Sequence, residues 1–112
     1  MKYLKKFNES LGAASREYID GLCKKYLIEE GSHSFVKSYT INDDGTVDVD
    51  GDVYMSFRRF TSNVLPIKFG KVSRHFDCEN SSLVSLDGCP NYVGGRFKCN
   101  GNRLTSLKGI PD

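Results

Sequence analysis

The chain repeats itself near its C-terminal end. FDCENSSLVSLDGCPNYVGG, from Phe76, is followed by FKCNGNRLTSLKGIPD, from Phe97. Phe76/Phe97, Cys78/Cys99, Leu83/Leu104, Leu86/Leu107, Gly88/Gly109 and Pro90/Pro111 each stand 21 residues apart. A fixed period of this length marks one supersecondary unit that cannot bury its apolar face alone and is stacked on its neighbours. Stacked short strands present an extended surface, whereas catalysis usually gathers side chains from several directions into a cleft. The repeat therefore points to recognition.

Within the unit, Val72-x3-Phe76-x-Cys78-x2-Ser81-x-Leu83-x2-Leu86 recurs as Val93-x3-Phe97-x-Cys99-x2-Asn102-x-Leu104-x2-Leu107. Alternation around Phe-x-Cys predicts a short strand with two side chains inward. The leucines then turn the chain, and Gly-Cys-Pro or Gly-Ile-Pro returns it without a helix. This spacing is the leucine-rich-repeat pattern with one extra residue before the strand. It resembles the short leucine-rich repeats of bacterial secreted effectors, and more closely the LTSLxGCPxxVGGxFxC repeats of tailed-bacteriophage proteins. The resemblance covers roughly residues 38 to 112. It implies a phage source and a short β-solenoid, and no activity.

A degenerate first coil precedes these two: Val49-x3-Val53-x-Met55-x2-Arg58-x-Phe60, with Leu65-Pro66 where the others have Cys89-Pro90 and Ile110-Pro111. The Asn that hydrogen-bonds the turn backbone is present at Asn102, but the equivalent positions hold Ser81 and Arg58. That ladder is expected to be incomplete, with less regular early coils. Three coils are expected in all.

Residues 1 to 31 have a different texture. Leu11, Ala14, Tyr18, Leu22 and Tyr26 recur at helical spacing, with Ile19 and Cys23 widening the stripe, Asn8 or Ser10 as cap and Gly31 as stop. One amphipathic helix is expected over about residues 8 to 30, covering the first layer of coils. Between helix and coils, Tyr39, Ile41, Val47 and Val49 alternate on either side of Asp44-Gly45, which reads as a hairpin or two short strands. The expected fold is α+β: an N-terminal capping helix within residues 1 to 31, then a hairpin and leucine-rich-repeat-like β-solenoid over residues 32 to 112, in a single compact domain.

Charge is unevenly placed. Residues 32 to 56 carry one positive and five negative side chains, and residues 57 to 112 carry nine positive and four negative. A basic half could favour nucleic acid. Its basic residues are scattered, however, and lack an interleaved aromatic platform for stacking bases, which argues against that partner. No apolar run is long enough to cross a membrane, and MKYLKKFNES lacks the apolar stretch of a secretory signal.

The chemistry-bearing residues do not assemble into a reaction. Cys78 and Cys99 share an inward strand position, Cys89 aligns with Leu65 and Ile110, and Cys23 lies on the apolar side of the helix, so all four are expected as free thiols acting as small hydrophobes. No Cys-x2-Cys pair suggests zinc. Asp48, Asp50, Gly51 and Asp52 look briefly like a calcium loop, but aligning Gly51 as the loop glycine puts Phe57 where a Glu is required, and a surface turn is expected instead. His33 and His75 accompany no nucleophile motif. No catalytic residue, metal or cofactor is expected.

The binding surface is expected on the outward strand residues, in three rows: Asp52, Tyr54, Ser56; His75, Asp77, Glu79; and Arg96, Lys98, Asn100. Tyr54 is the natural anchor, because an exposed aromatic among charges buries area at small entropic cost. The chain stops just after Pro111, leaving the layer of Phe97, Leu104 and Leu107 without a following segment. That edge is expected to meet a second copy in a homodimer, or the partner itself. The expected partner is a host or phage protein met in the host bacterial cytoplasm. MKYLKKFNE also resembles the capsid-targeting peptides of T-even phage internal proteins through Leu4, Phe7 and Glu9, with Phe7 where leucine or isoleucine is usual. That likeness implies the alternative of a virion protein cut after Glu9.

Overall fold

The computed structural model describes residues 11–29 and 34–111. The peptide carrying Leu4, Phe7 and Glu9, the caps Asn8 and Ser10, and Gly31 and His33 lie outside the described residues. The fold is α+β: a helix, α1 (Ala13–Cys23), then six strands, β1 (Phe35–Ile41), β2 (Val47–Tyr54), β3 (Phe69–Val72), β4 (Phe76–Asp77), β5 (Tyr92–Val93) and β6 (Phe97–Lys98).

The helix departs from expectation in its cap and in phase. Gly12 is its N-cap and supplies no side-chain bond, and after Cys23 the chain widens into a π-helical turn, Lys24–Glu29. Cys23 and Leu27 are buried while Tyr18 is 69% exposed and Ala14 faces outward. The buried spine therefore runs through Cys23 and Leu27, which i, i+4 spacing puts on one face, with Ile19 packed against it and Tyr26 edge-on to Phe60 at 5.8 Å. Arg16 anchors the helix to the first hairpin, donating to the Ile41 carbonyl at 2.9 Å and pairing with Asp43 at 2.6 Å. Tyr39 donates its hydroxyl proton to Asp20.

The β1–β2 hairpin turns at Asp44-Gly45, where Gly45 has φ 88° and the Asp44 carboxylate accepts from the Thr46 N–H and hydroxyl. β2 then serves three neighbours. β1 pairs with it antiparallel along nearly its whole length, Phe35 opposite Asp52 and Ile41 opposite Val47. Its first half pairs in parallel with β3, Val49 opposite Val72, and its last residues with β4, Val53 opposite Phe76. Gly51, at φ 136°, allows the bend between the halves, since a Cβ there would stand 2.1 Å from the Phe35 carbonyl. The ladders continue with Val72 opposite Val93 and Phe76 opposite Phe97. The strand order is β5-β3-β2-β4-β6, with β1 on the remaining edge of β2.

This register is the one the repeat predicts. Val49-x3-Val53, Val72-x3-Phe76 and Val93-x3-Phe97 lie side by side because alternation sends the same set inward in each, and a one-residue slip would turn every set outward. Phe76 is wholly buried, edge-on to Phe69 at 5.2 Å and stacked on Phe97 at 5.8 Å. Val53, Met55, Cys78, Leu83 and Leu86 complete the layers around it.

The turn after each inner strand is held from the following unit. Asn102 Oδ1 accepts the Ser81 and Leu83 N–H groups at 2.9 and 3.0 Å, and its Nδ2 donates to the Cys78 and Cys99 carbonyls at 2.8 and 2.9 Å. Ser81 reaches back in the same way, donating to the Met55 carbonyl at 2.7 Å and accepting from the Arg58 N–H at 3.3 Å. The ladder expected to break at Ser81 thus continues in a shorter form, because a hydroxyl can both donate and accept where an amide does so twice over.

Candidate functional site

The bend between the two parallel ladders organises the outward face. At each unit a side chain accepts the backbone N–H that stands next to it in the following unit. Asp48 Oδ1 accepts from Lys71 N–H at 2.9 Å, Asp52 Oδ1 from His75 N–H at 2.9 Å, and His75 Nδ1 from Arg96 N–H at 2.8 Å. Asp50 Oδ1 accepts from the Ser73 hydroxyl at 2.9 Å, whose oxygen accepts from Gly51 N–H at 2.8 Å. The close approach of His75 to the next unit explains Gly95, where a Cβ would stand 2.2 Å from Nδ1.

The column corrects two expectations. Asp48, Asp50 and Asp52 do not form a surface turn: they belong to β2, and their carboxylates are spent on donors about 23 residues later. Asp52 is only 9% exposed, also meeting Arg74 Nε at 3.5 Å, so it is a bracing residue and leaves the binding row. No cluster of metal-binding side chains occurs among the described residues.

Five of the nine expected row residues come together. Tyr54, His75, Asp77, Arg96 and Lys98 line a shallow groove of about 40 Å³ over Phe76. Arg96 and Lys98 are exposed and ion-paired to no described residue, while Tyr54, His75 and Asp77 are half-buried. One Asp77 oxygen accepts from the Glu79 N–H at 3.0 Å, which holds the row straight. Ser56, Glu79 and Asn100 stand beyond the groove at the turn end of their rows; Ser56 and Glu79 are half-buried and Asn100 is exposed. Along the final edge Phe97 and Leu104 are half-buried, and Leu107 is 61% exposed.

Two exposed aromatics beside this face escaped the sequence reading. Phe35 is 71% exposed, and lies across from Asp52 as the diagonal neighbour of Tyr54 on the outward side of the hairpin. Phe57 is 73% exposed and has φ 57°. It occupies the turn position that Asn80 (φ 53°) and Gly101 (φ 73°) hold in the later units. Its presence was legible by aligning that position, since Asn and Gly suit a left-handed backbone and Phe does not.

A wider apolar cleft of about 450 Å³ separates α1 from the hairpin turn and the Pro66–Lys68 segment, lined by Tyr18, Ile19, Leu22 and Ile67 among others. It has one charged lining residue, Lys68, which is paired to Asp87 at 3.1 Å.

Three of the four thiols are harder to ionise than a free thiol. Burial pushes the Cys23 thiol up to about 11, with Asp20 adding to it. Contact with Cys89, and then burial, raises Cys78, while burial and the neighbouring Cys78 raise Cys99. All three stay protonated at neutral pH, the wrong state for a nucleophile. Comparison of the chain with protein-family models, with curated proteins and with solved structures finds no match.

Proposed function

We propose that this protein is a phage-encoded recognition module that binds a host or phage protein, in the service of host takeover or of blocking host defence. On this reading the parallel ladders are three coils of a short leucine-rich-repeat-like solenoid, and α1 with β1 covers its first coil. The observation that carries the reading is the groove where three adjacent strands bring Tyr54, His75, Asp77, Arg96 and Lys98 side by side. The backbones of β2 and β4 beneath are paired on both sides, so recognition there falls to side chains. The phage source rests on the likeness of the repeat. Among the described residues no helix is long and apolar enough to cross a membrane.

The test is affinity purification of the tagged protein from infected host cells, with variants as controls. Changing Tyr54, Asp77 and Lys98 together should remove the co-purifying partner, and Lys108→Glu on the far side should not. Retention by the triple variant combined with loss in Lys108→Glu would overturn the reading.

A further inference from the structure

Phe57 is out of place for two independent reasons. Its backbone holds a left-handed conformation that costs a bulky residue strain, and the equivalent positions, Asn80 and Gly101, carry the residue types that relieve it. Its ring is then left 73% exposed, so no burial compensates. Phe35 and Tyr54 stand as diagonal neighbours on the same side of the hairpin, and Phe57 lies three residues after Tyr54, in the turn that leaves β2. From Tyr54 on β2 the exposed cations Arg96 and Lys98 lie two strand spacings away, a distance of about 10 Å, and from Phe35 on β1 they lie three.

We propose that Phe35, Tyr54 and Phe57 are the apolar anchor of the recognition surface. The bound element is an extended protein segment with a large apolar side chain seated on them and an acidic side chain about three residues away, reaching Arg96 and Lys98. The spacing follows from a rise of about 3.3 Å per residue along an extended chain laid across the strands. Charge selects protein over single-stranded nucleic acid: Asp77 and Glu79 lie between the aromatics and the cations, where a phosphate backbone would have to pass. A peptide can place a neutral or basic residue there.

The inference rests on the recognition reading above, and the experiment separates the two. The full chain is used to select binders from a displayed random peptide library, with a fluorescent oligothymidylate as a second probe. Selected peptides should share an apolar residue and an acid about three positions apart. Phe57→Asn should weaken them about tenfold, as loss of a central anchor does, while raising the thermal midpoint of the protein. Phe35→Ser should weaken them without unfolding the chain, and Lys98→Glu should reject them. Peptides lost on Lys98→Glu but indifferent to Phe57→Asn and Phe35→Ser would overturn the anchor and leave the strand rows standing. Peptides indifferent to all three, or no shared motif, would overturn both. Oligothymidylate binding that disappears in Phe57→Asn would assign the aromatics to nucleic acid instead.

Discussion

Phe76 is fully enclosed, and its ring touches Phe69 on one side and Phe97 on the other, so it joins three strands at one point. Phe76→Ala should cost about 3–5 kcal/mol through lost transfer energy and the cavity left behind. That is a large share of the stability of a domain this small, and urea titration should show it. Cys78→Val should leave the midpoint nearly unchanged, because the site asks only for a small apolar group. Alkaline pH tests two other residues. Burial, then the bond to Asp20, pushes Tyr39 up to about 12 from 10.0, and Cys23 stands near 11 against 9.0. Each is harder to ionise folded than unfolded, so its contribution is complete below the unfolded value and is lost as pH rises through the folded one. The melting temperature should be level up to pH 9 and fall between pH 9 and 12. In Tyr39→Phe the part of the fall above pH 10 should shrink, and the part due to Cys23 should remain.

Among the elements, the turns show how one unit depends on the next. Asn102 makes four hydrogen bonds, three of them to the preceding unit. Asn102→Ala should cost about 2–3 kcal/mol by stranding half-buried donors and acceptors, and Ser81→Ala less, since it breaks fewer. Amide exchange should quicken at Ser81 and Leu83 in the first variant. The strand register was readable from the chain, because Val53, Phe76 and Phe97 repeat inside the same alternation. The phase of α1 was not: the spacing put Tyr18 and Tyr26 on the apolar stripe, with Cys23 only widening it and Leu27 left off, and the choice came from what the sheet offered as a seat. The hairpin at Asp44-Gly45 was readable because its turn chemistry is local.

For the whole molecule the two ends of the strand stack are unlike. β1 and α1 cover β2, whereas β5 and β6 are edge strands beside Leu107 and Ile110, which are 61% and 49% exposed. Strand edges over apolar side chains favour association. Sedimentation at micromolar concentration should show a concentration-dependent dimer, and Leu107→Asp should shift it to monomer without lowering the melting temperature.

Of the outward face, the groove-lining residues Tyr54, His75, Asp77, Arg96 and Lys98 were legible as outward positions of a strand. Asp52 has the same alternation and a different fate, because whether an outward carboxylate is free depends on a backbone N–H 23 residues away. The strain at Phe57 likewise belongs to a turn held by Glu79 of the next unit, whose carbonyl accepts its N–H at 3.1 Å. Periodicity is a property of neighbours along the chain and so survives in the amino-acid order. Exposure and bracing are properties of neighbours across the strands, and they appear only once the units are laid beside one another.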